Sequence, residues 1–356
     1  MALVRVYLLT YRRPHLLKRA LTSLLAQTFR DWVCEVHNDD PDDPYPAKII
    51  DEFPDSRVFL CQHVRNLGPT ASFNIAFEGG PEPYVSILED DNWWEPSFLA
   101  EAIQTLADDP NANVVWSNMR IWNENRDGSW SDTRRTIWPS ADGCTRRCFS
   151  WPNTIQAVNA LHSNGAMVVR SSVSRKAKVP IETPFAIIEH LRERLIPGNW
   201  ILLTKPLANF AVTCQTARGS DRAEWARAQA LIAASFFATS TFSAKNTEQL
   251  WQLLRKAKPP STGVLFLVGL SGIKPFSILR FASIGDWIRF FAGTFWRPFV
   301  FWKAVQYRRH LPRVWDEALN GAKARSHERH AQSSPEVFNK EISNFSGSEP
   351  QSSLHH

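Results

Sequence analysis

Short apolar runs alternate with segments of helical periodicity along the first part of the chain. In residues 15–27, Leu17, Leu21 and Leu24 belong to an apolar stripe at three- and four-residue spacing, which predicts a helix with one buried face. Strands that alternate with helices are typical of a mostly parallel sheet with helices on both faces, which is the α/β fold class that we predict. The predicted strands are residues 4–10, 32–36, 58–62, 84–88, 114–122, 166–170 and 200–204, and the predicted helices are residues 15–27, 47–53, 70–77, 96–106 and 187–195.

The pattern changes twice further along the chain. Residues 123–152 are rich in Trp, Arg, Ser, Asp and Gly, and we expect them to form a long loop excursion over a site. Beyond residue 216 the pattern is helical, most clearly in residues 223–242 and 246–256, and from Ser326 the chain is polar and rich in serine. The predicted organisation is a first domain over residues 1–216, a helical extension over 217–325 and a disordered tail over 326–356.

Four polar residues, Glu89, Asp90, Asp91 and Asn92, follow the apolar strand at residues 84–88. Ligands bind at the carboxyl ends of strands in sheets of this kind, so we expect a site here. Two of the three carboxylates can converge on one hard cation and the third on a ribose hydroxyl. An Mg²⁺ or Mn²⁺ ion held in this way keeps coordination positions open for substrate phosphates. The alternative is an ordinary solvated acidic turn.

Two further polar segments lie on the same predicted edge of the sheet. Asn38 and Asp39 follow the second strand, where the Asp39 carboxylate can accept a hydrogen bond from a base or a ribose hydroxyl. The turn from Arg65 to Gly68 opens the helix at residues 70–77, so its backbone N–H groups and Arg65 can face a phosphate. A plain turn explains this second segment equally well.

The chain is basic, with 41 Lys and Arg against 35 Asp and Glu, a formal charge of +6 and a pI of about 9.1. Such a balance suits a pyrophosphate ligand, a layer of lipid headgroups or a nucleic acid. We expect no nucleic acid partner, because no exposed element that reads bases is recognisable. The basic residues cluster near the C-terminus, at Lys303, Arg308, Arg309, Arg313, Lys323, Arg325 and Arg329.

Aromatic and aliphatic residues dominate residues 263–302. Charged residues such as Lys274 and Arg289 interrupt every apolar run before it reaches spanning length, so no transmembrane helix is predicted. Helices that mix aromatics with arginines suit a membrane interface, and we expect peripheral membrane contact through residues 263–313. The competing interpretation is that these helices pack on the protein or form a dimer contact.

Five cysteines, an odd number without a framework spacing, favour a reduced intracellular compartment. Cys144 and Cys148 have no second pair or histidine motif beside them, so we do not expect a metal there. The chain begins almost directly with a strand and lacks the regions of a signal peptide. We therefore expect a cytoplasmic protein, peripheral on the inner face of the cell membrane.

Several short motifs occur in a fixed order along the first hundred residues. They are LLTYRRP at residues 8–14, SLLAQTF at 23–29, Asn38-Asp39, Asn66-Leu67-Gly68 with Asn74, and LEDDN at 88–92 with Pro96. In order and spacing this series resembles the family 2 glycosyltransferases, closely over about the first hundred residues and more weakly towards residue 216. The resemblance implies a GT-A fold, a nucleoside diphosphate sugar donor, a divalent metal ion and inversion at the anomeric carbon.

The resemblance also assigns roles to residues of this chain. Asp39 would contact the base, Asp91 would hold the metal ion, and Glu89 and Asp90 would bind ribose or metal. The pattern departs from the family at Asn38, Asp40 and Pro41, so no base preference is carried over. Other residues expected on the nucleotide-sugar side are Thr10, Tyr11, Arg12, Asn38, Arg65, Asn66, Gly68 and Asn74, and those expected on the acceptor side are His162 and Asn164.

An inverting transfer needs a general base, which the family places at an acidic pair opening a helix that ends in Arg-Leu. The matching region is residues 188–195, where the usual Asp is missing. We predict Glu189 as the base, with His190 as the second candidate, since either side chain can accept a proton. The alternative is the exposed face of a charged helix.

The resemblance implies an enzyme of bacterial cell-surface polysaccharide or glycolipid synthesis, acting on a glycan or lipid-linked acceptor. A non-catalytic sugar-nucleotide-binding or scaffold protein is the main alternative, supported by the altered base region. A nucleotidyltransferase is a further alternative, but its usual basic, glycine-rich loop is missing because Tyr11 to Pro14 contain no glycine.

Overall fold

The computed structural model describes residues 2–139, 143–157, 159–214, 222–240, 242–256, 262–299, 302, 306 and 309–332. The strands are β1 Val4–Thr10, β2 Trp32–Asn38, β3 Val58–Gln62, β4 Tyr84–Glu89, β5 Trp93–Trp94, β6 Ala112–Glu124, β7 Trp130–Thr136, β8 Arg146–Phe149, β9 Met167–Arg170 and β10 Asn199–Val212. The helices are α1 Pro14–Leu25, α2 Tyr45–Glu52, α3 Pro69–Ile75, α4 Phe98–Asp108, α5 Ser171–Ser174, α6 Ile188–Leu195, α7 Arg222–Thr239, α8 Ala244–Lys256, α9 Thr262–Leu270, α10 Ile273–Phe276, α11 Ile284–Trp296 and α12 Pro312–Gln332.

All the strands join one sheet in the order β3-β2-β1-β4-β9-β6-β10-β5, with β7 added beside β6 and β8 beside β10. Strands β1, β2, β3, β4, β6 and β10 point the same way, and β9 runs antiparallel between β4 and β6. The predicted fold class, a mostly parallel α/β sheet of the GT-A type with a helical C-terminal region, is therefore confirmed.

The four N-terminal strands form because each carries residues that are buried on at least one face. Val4, Val6 and Leu8 of β1 are wholly buried, and they pack with Leu17 and Leu21 of the apolar stripe of α1. The parallel register sets Thr10 beside Asn38 and Leu9 beside Glu89. The polar strand ends identified in the sequence therefore meet at one edge of the sheet.

The segment predicted as a long loop contains two strands. Residues 130–136 and 146–149 pair antiparallel with β6 and β10. The residues of β7, WSDTRRT, are all exposed or half-buried, so neither face carries the apolar alternation that identifies a strand in a sequence. The expectation of an excursion without secondary structure is wrong for these residues.

The described residues divide into two compact units. The first contains residues 1–150, 162–181 and 196–216, and the second contains residues 151–161, 182–195 and 217–356. The prediction had kept residues 151–161 and 182–195, with α6, in the first domain. The structure places them in the second unit instead. Buried hydrogen bonds fix this grouping, since Glu193 of α6 accepts from the Gln156 side chain at 2.8 Å and from the backbone N–H of Leu161 at 2.5 Å.

The second unit is helical. Phe266 of α9 stacks on Phe290 of α11 with ring centroids 4.4 Å apart, and Trp287 meets it edge-on at 4.9 Å. Helix α12 continues to Gln332, so residues 326–332, which were predicted as part of a disordered tail, are helical. Among the helices that the structure describes, none is long and apolar enough to cross a membrane. The predicted basic residues Lys303 and Arg308, and the rest of the tail, lie outside the described residues.

Candidate functional site

Asp90 lies at the centre of the site, just after β4, and is fully buried. Its Oδ2 atom accepts hydrogen bonds from the Thr10 hydroxyl at 2.9 Å and from the backbone N–H of Tyr11 at 3.4 Å. Burial raises the pKa of Asp90 to about 7, and the Asp91 carboxylate adds to the rise while Arg13 opposes it. The end of β1 and the end of β4 are joined through this carboxylate.

Arg13 binds two carboxylates at once. Its guanidinium lies 2.5 Å from Asp90 Oδ1 and 2.7 Å from Asp91 Oδ2. Burial lowers the pKa of Arg13, but the two carboxylates outweigh it and hold the pKa above its ordinary value. Asp91 keeps 15% of its side chain exposed, so it is the more accessible of the two acids. Asp90 and Asp91 therefore both contact the positively charged guanidinium of Arg13.

A second arginine, Arg19, approaches Asp91 from α1. Its Nη2 atom donates to the backbone carbonyl of Asp91 at 2.8 Å. The guanidinium lies between two indole rings, 3.7 Å from the centroid of Trp93 and 3.9 Å from that of Trp130. Burial lowers the pKa of Arg19 to about 10, with the carboxylates of Asp91 and Glu124 opposing that shift.

Glu89 is hydrogen-bonded to Asn92. Its Oε2 accepts from Asn92 Nδ2 at 2.8 Å, while Asn92 Oδ1 accepts from the backbone N–H of Ala211 at 3.2 Å. Gly165 lies against both side chains, because a Cβ atom there would overlap Glu89 Oε2 and would come within 2.8 Å of Asn92 Nδ2. The predicted metal ligands are Glu89 and Asp91. In the structure, the two carboxylates that contact the same positive group, the Arg13 guanidinium, are Asp90 and Asp91.

Asp39 organises the neighbouring turn. One carboxylate oxygen accepts from the backbone N–H of Leu67 at 2.7 Å, and the other accepts from the backbone N–H of Gly68 at 3.1 Å and from the Ser72 hydroxyl at 3.0 Å. Gly68 has φ +80, which is a conformation that other residues rarely adopt. The predicted contact of Asp39 with a base stays a prediction, and the structure adds its role in holding this turn.

The side chains of Asn38 and Asn74 are buried and bonded within the protein. Asn38 is fully buried and donates to the Asp43 carbonyl at 2.8 Å and to Gln62 Oε1 at 2.9 Å. Asn74 is buried as well; its amide donates to the Val179 carbonyl at 2.8 Å and accepts from the Val179 N–H at 3.1 Å. Both amides hold loops together, and their predicted contact with a nucleotide stays a prediction.

The other predicted nucleotide-side residues are accessible. Tyr11 is 40% exposed, and the guanidinium of Arg12 lies 5.0 Å from the centre of its ring. Arg12, which has φ 56, donates to Asp40 Oδ2 at 2.5 Å, and this bond lowers the pKa of Asp40. Arg65 and Asn66 are exposed.

The predicted acceptor-side residues are buried in the first unit. His162 is 4% exposed and meets the Trp200 ring edge-on, with centroids 4.8 Å apart. Asn164 is 3% exposed and begins the short 3-10 turn that carries Gly165 against Glu89. The side chains pack inward, so it is the backbone of this turn that reaches the site.

The predicted base belongs to the second unit. Glu189 lies in the first turn of α6 and is half-buried, whereas His190 is 7% exposed. Glu193 and Arg194 on the same helix are buried, and Arg194 donates to the carbonyls of His190 and Ile232 at 2.6 and 3.1 Å. The charged helix is thus largely internal, and Glu189 is its accessible acid.

Residues 6–163 match the sequence model of glycosyl transferase family 2. This region of the chain is similar to glycosyl transferase family 2. The match includes Arg13, Asp39 and the acidic residues at 89–91, whereas Gly165 lies just beyond it.

Relatives of the family 2 region are bacterial and archaeal proteins. The chain is 27% identical over 123 residues to the Escherichia coli protein named UDP-Glc:alpha-D-GlcNAc-diphosphoundecaprenol beta-1,3-glucosyltransferase WfgD. That alignment covers 35% of this chain and 48% of the relative. The succinoglycan biosynthesis protein ExoW of Rhizobium meliloti is 30% identical over 119 residues, 30% of this chain and 34% of the relative. The chain thus spans about half or less of these relatives' lengths.

The fold of the chain is that of solved glycosyltransferase structures. S. aureus TarS 1–349 in complex with UDP superposes with a TM-score of 0.56 and 14% identity, covering 96% of this chain and 98% of that one. At this level of identity, the likeness concerns the fold.

The acidic site of the family 2 region fits a hard divalent cation. Its donors are carboxylate oxygens, which Mg²⁺ and Mn²⁺ prefer, and the Arg13 guanidinium shows that two of them already share a cation. Within the part of the chain that the structure describes, Glu89, Asp90 and Asp91 do not bring three ligand oxygens within 4.8 Å of one another. An ion held by two carboxylates keeps coordination positions for phosphate oxygens.

Proposed function

We propose that the chain is an inverting glycosyltransferase that moves a sugar from a nucleoside diphosphate sugar to an acceptor hydroxyl. One observation supports the proposal most strongly. The carboxylates of Asp90 and Asp91, at the carboxyl end of β4, both contact the guanidinium of Arg13 and so converge on one positive charge. A diphosphate leaving group needs a site for a cation at this edge of the sheet. The turn that Asp39 holds follows β2 at the same edge of the sheet, with β1 between β2 and β4.

Asp91, with Glu89 as the second carboxylate, would hold Mg²⁺ or Mn²⁺. The ion, when bound, neutralises the charge that develops on the departing diphosphate. Arg13 contacts Asp91 Oδ2 at 2.7 Å, so it would lie next to an ion held by Asp91. From there its guanidinium could also bind a phosphate oxygen of the donor.

Glu189 is the general base of the proposed reaction. It takes the proton of the acceptor hydroxyl while the oxygen forms a bond to the anomeric carbon from the face opposite the leaving group. The bond from that carbon to the diphosphate oxygen breaks, and the diphosphate keeps the electron pair. Asp39, Tyr11 and Arg12 are placed on the nucleotide side.

The relatives indicate which substrates to test first. The E. coli relative is named for a UDP-glucose donor and a diphosphoundecaprenol-linked acceptor, and TarS was solved with UDP. We propose a uridine diphosphate sugar donor and a lipid-linked acceptor in the synthesis of a bacterial cell-surface polysaccharide or glycolipid.

The test is incubation of the full chain with a panel of UDP-sugars, Mn²⁺ and a lipid-linked acceptor fraction. The measurements are released UDP and the mass of the modified lipid. Sugar transfer by the wild-type chain supports the proposal. Tight binding of a UDP-sugar without transfer to any acceptor would instead favour a non-catalytic scaffold protein.

A substitution at Gly165 tests whether Glu89 acts at this site. Gly165→Ala should weaken Mn²⁺-dependent binding of UDP by about tenfold, because the new Cβ displaces the Glu89 carboxylate. Calorimetry measures the affinity. Gly293→Ala is the matched control, since nothing lies within 4 Å of a Cβ there. Equal affinities of the two variants for UDP would show that Glu89 does not contribute to metal-dependent binding.

An exposed apolar stripe on α11 supports a peripheral membrane contact. Ile284, Ile288, Phe291 and Phe295 recur at helical spacing and are 61–81% exposed, while Phe290 packs inward on α9. Trp296 beside the stripe is 82% exposed. Exposed arginines at 289 and 297 add charge that suits anionic headgroups. We propose that this stripe lies in the membrane interface, where a lipid-linked acceptor is reached.

The membrane contact predicts a change in vesicle binding. Phe295→Ser combined with Trp296→Ser should reduce sedimentation with phosphatidylglycerol-containing vesicles by at least about tenfold, because two large apolar side chains are removed. Val64→Ser combined with Ile181→Ser is the control, since these residues are 93% and 65% exposed in the first unit. Equal binding of both double variants would contradict the contact.

A further inference from the structure

A second group of ligating side chains lies on the outer strands of the sheet, apart from the Asp90 site. His37 of β2 and Cys61 of β3 are direct partners in the parallel register. Glu35 lies two residues before His37, and side chains two apart on a strand share a face. This face is opposite the one formed by Cys34 and Val36, which belong to the hydrophobic core.

We infer that Glu35, His37 and Cys61 form a binding site for a divalent transition metal ion of the Zn²⁺ class. One ligand atom from each residue lies within 4.8 Å of the other two. Among the residues that the structure describes, this is the one set of three His, Cys, Asp or Glu side chains that is so arranged. A nitrogen, a thiolate and a carboxylate are ligands that Zn²⁺ accepts in tetrahedral sites and that Mg²⁺ and Mn²⁺ do not favour.

The present spacing requires only a small adjustment. His37 Nε2 lies 3.0 Å from Glu35 Oε2. Two ligands on a tetrahedral zinc ion, at bonds of about 2.0–2.1 Å, are roughly 3.3–3.4 Å apart. The two side chains therefore need to separate by a few tenths of an ångström, which rotation about side-chain bonds supplies.

His63 supplies the outer partner that metal-bound histidines usually have. Its Nε2 atom lies 3.0 Å from His37 Nδ1. When His37 carries its proton on Nδ1, it donates to His63 and leaves the Nε2 lone pair free for a metal ion. The bond from His37 Nε2 to the ionised Glu35 carboxylate places the proton on Nε2, so ligation needs the other neutral tautomer, in which Nδ1 donates to His63.

Glu35 can ligate without giving up its ion pair. Arg5 contacts Glu35 Oε1, whereas Oε2 faces His37. Arg5 is itself held by Glu82, through bonds of 2.6 and 2.7 Å, so its charge is balanced independently. Oε2 is the oxygen left for a metal ion. One glutamate and one thiolate then neutralise the two charges of the ion.

Binding must displace protons. Burial, with Glu35 adding to it, raises the pKa of Cys61, so the thiol is protonated in the metal-free protein. The thiol proton goes to solvent as the sulfur–metal bond forms, and the His37 proton shifts from Nε2 to Nδ1, where His63 accepts it. Glu35 keeps 24% of its side chain exposed, so water can reach the site and fill the fourth position.

The consequence for the fold is a link between the edge strand and its neighbour. β3 is the end strand of the main sheet order. A metal ion held by His37 and Cys61 joins β2 to β3 across their register and stabilises the folded chain by mass action. We therefore expect a rise in the thermal unfolding midpoint with Zn²⁺.

The experiment uses Co²⁺ as a spectroscopic probe, because a cobalt–thiolate bond gives a charge-transfer absorption band. The exposed cysteines are first removed as Cys144→Ser, Cys148→Ser and Cys214→Ser in the full chain. This background variant should bind one equivalent of Co²⁺ with the thiolate band, and Zn²⁺ should displace it. Adding Cys61→Ser should abolish the band. Excess Mg²⁺ and UDP should leave it unchanged, which separates this site from the Asp91 site.

A second variant keeps the test decisive if Cys61→Ser does not fold. His63→Ala leaves all three ligands in place, so the band should remain while Co²⁺ affinity falls by about tenfold. Absence of a thiolate band in the background variant would overturn the inference. A band that persists after Cys61→Ser, or that disappears when the exposed cysteines are removed, would overturn it as well.

Discussion

Asp91→Asn should abolish Mn²⁺-dependent binding of UDP, with a loss of at least about a hundredfold, or about 2.8 kcal/mol. The substitution keeps the shape of the side chain but removes the negative charge that would bind the metal ion. Asp90 cannot replace it, because that side chain is fully buried and is bound by Thr10 and Arg13. Calorimetric titration of the variant with UDP, with and without Mn²⁺, measures the effect.

Asp51→Asn is the matched control for this prediction, since Asp51 is an exposed carboxylate on α2. The control should bind UDP as the wild type does, and both variants should keep the wild-type unfolding midpoint within a few degrees. Arg13 retains Asp90 as a partner when Asp91 is changed, so the fold should persist. If Asp91→Asn bound UDP with an unchanged, metal-dependent affinity, Asp91 would not be a metal ligand.

Glu189→Gln should stop sugar transfer while leaving UDP binding intact. A positioned general base contributes roughly 10²–10⁴-fold to a rate, so the turnover number should fall by about that factor. The glutamine fills the same volume but cannot take the acceptor proton. The measurement is the initial rate of UDP release with acceptor present, next to a calorimetric titration of the same preparation.

Two comparison variants sharpen the assignment of the base. Glu317→Gln changes an exposed carboxylate on α12 and should transfer at the wild-type rate. His190→Gln tests the second candidate, whose side chain is largely buried in α6. Full activity of Glu189→Gln together with loss of activity in His190→Gln would assign the base to His190. Full activity in both would place the base elsewhere in the chain.

The main strands of the first unit could be predicted from sequence because they carry apolar residues in short runs. Strands β1, β3 and β4 carry continuous or alternating apolar residues, and their bounds agree closely with the prediction. The acidic residues that follow β4 were identified for the same reason, since a sudden change from apolar to acidic residues marks a strand end. Strands β7 and β8 could not be predicted in this way, because their residues are mostly exposed.

The partners of the acidic residues could not be predicted, because they are distant in sequence. Arg13 and Asp91 are 78 positions apart, and Gly165 is almost as far from Glu89 in the sequence. Asn38 and Asn74 resembled ligand-binding residues because buried amides and ligand-facing amides look alike in a single sequence. Only their burial and their bonds to loop backbone distinguish the two roles.

The aromatic C-terminal region shows why composition alone left two interpretations open. Within α11, Trp287 and Phe290 pack on Phe266, whereas Ile288 and Phe295 point to solvent. Packing within the unit and an exposed apolar stripe therefore coexist on one helix. The helical periodicity separates them only when the position of the neighbouring helix α9 is known.

The central claim is most directly tested by calorimetric titration of the full wild-type chain with uridine, guanosine and thymidine diphosphates. Each nucleotide is titrated with and without Mn²⁺. We expect uridine diphosphate to bind, with an affinity that depends on the metal ion. Absence of binding by all three nucleotides, in the presence of Mn²⁺, would contradict a donor site at Asp90 and Asp91.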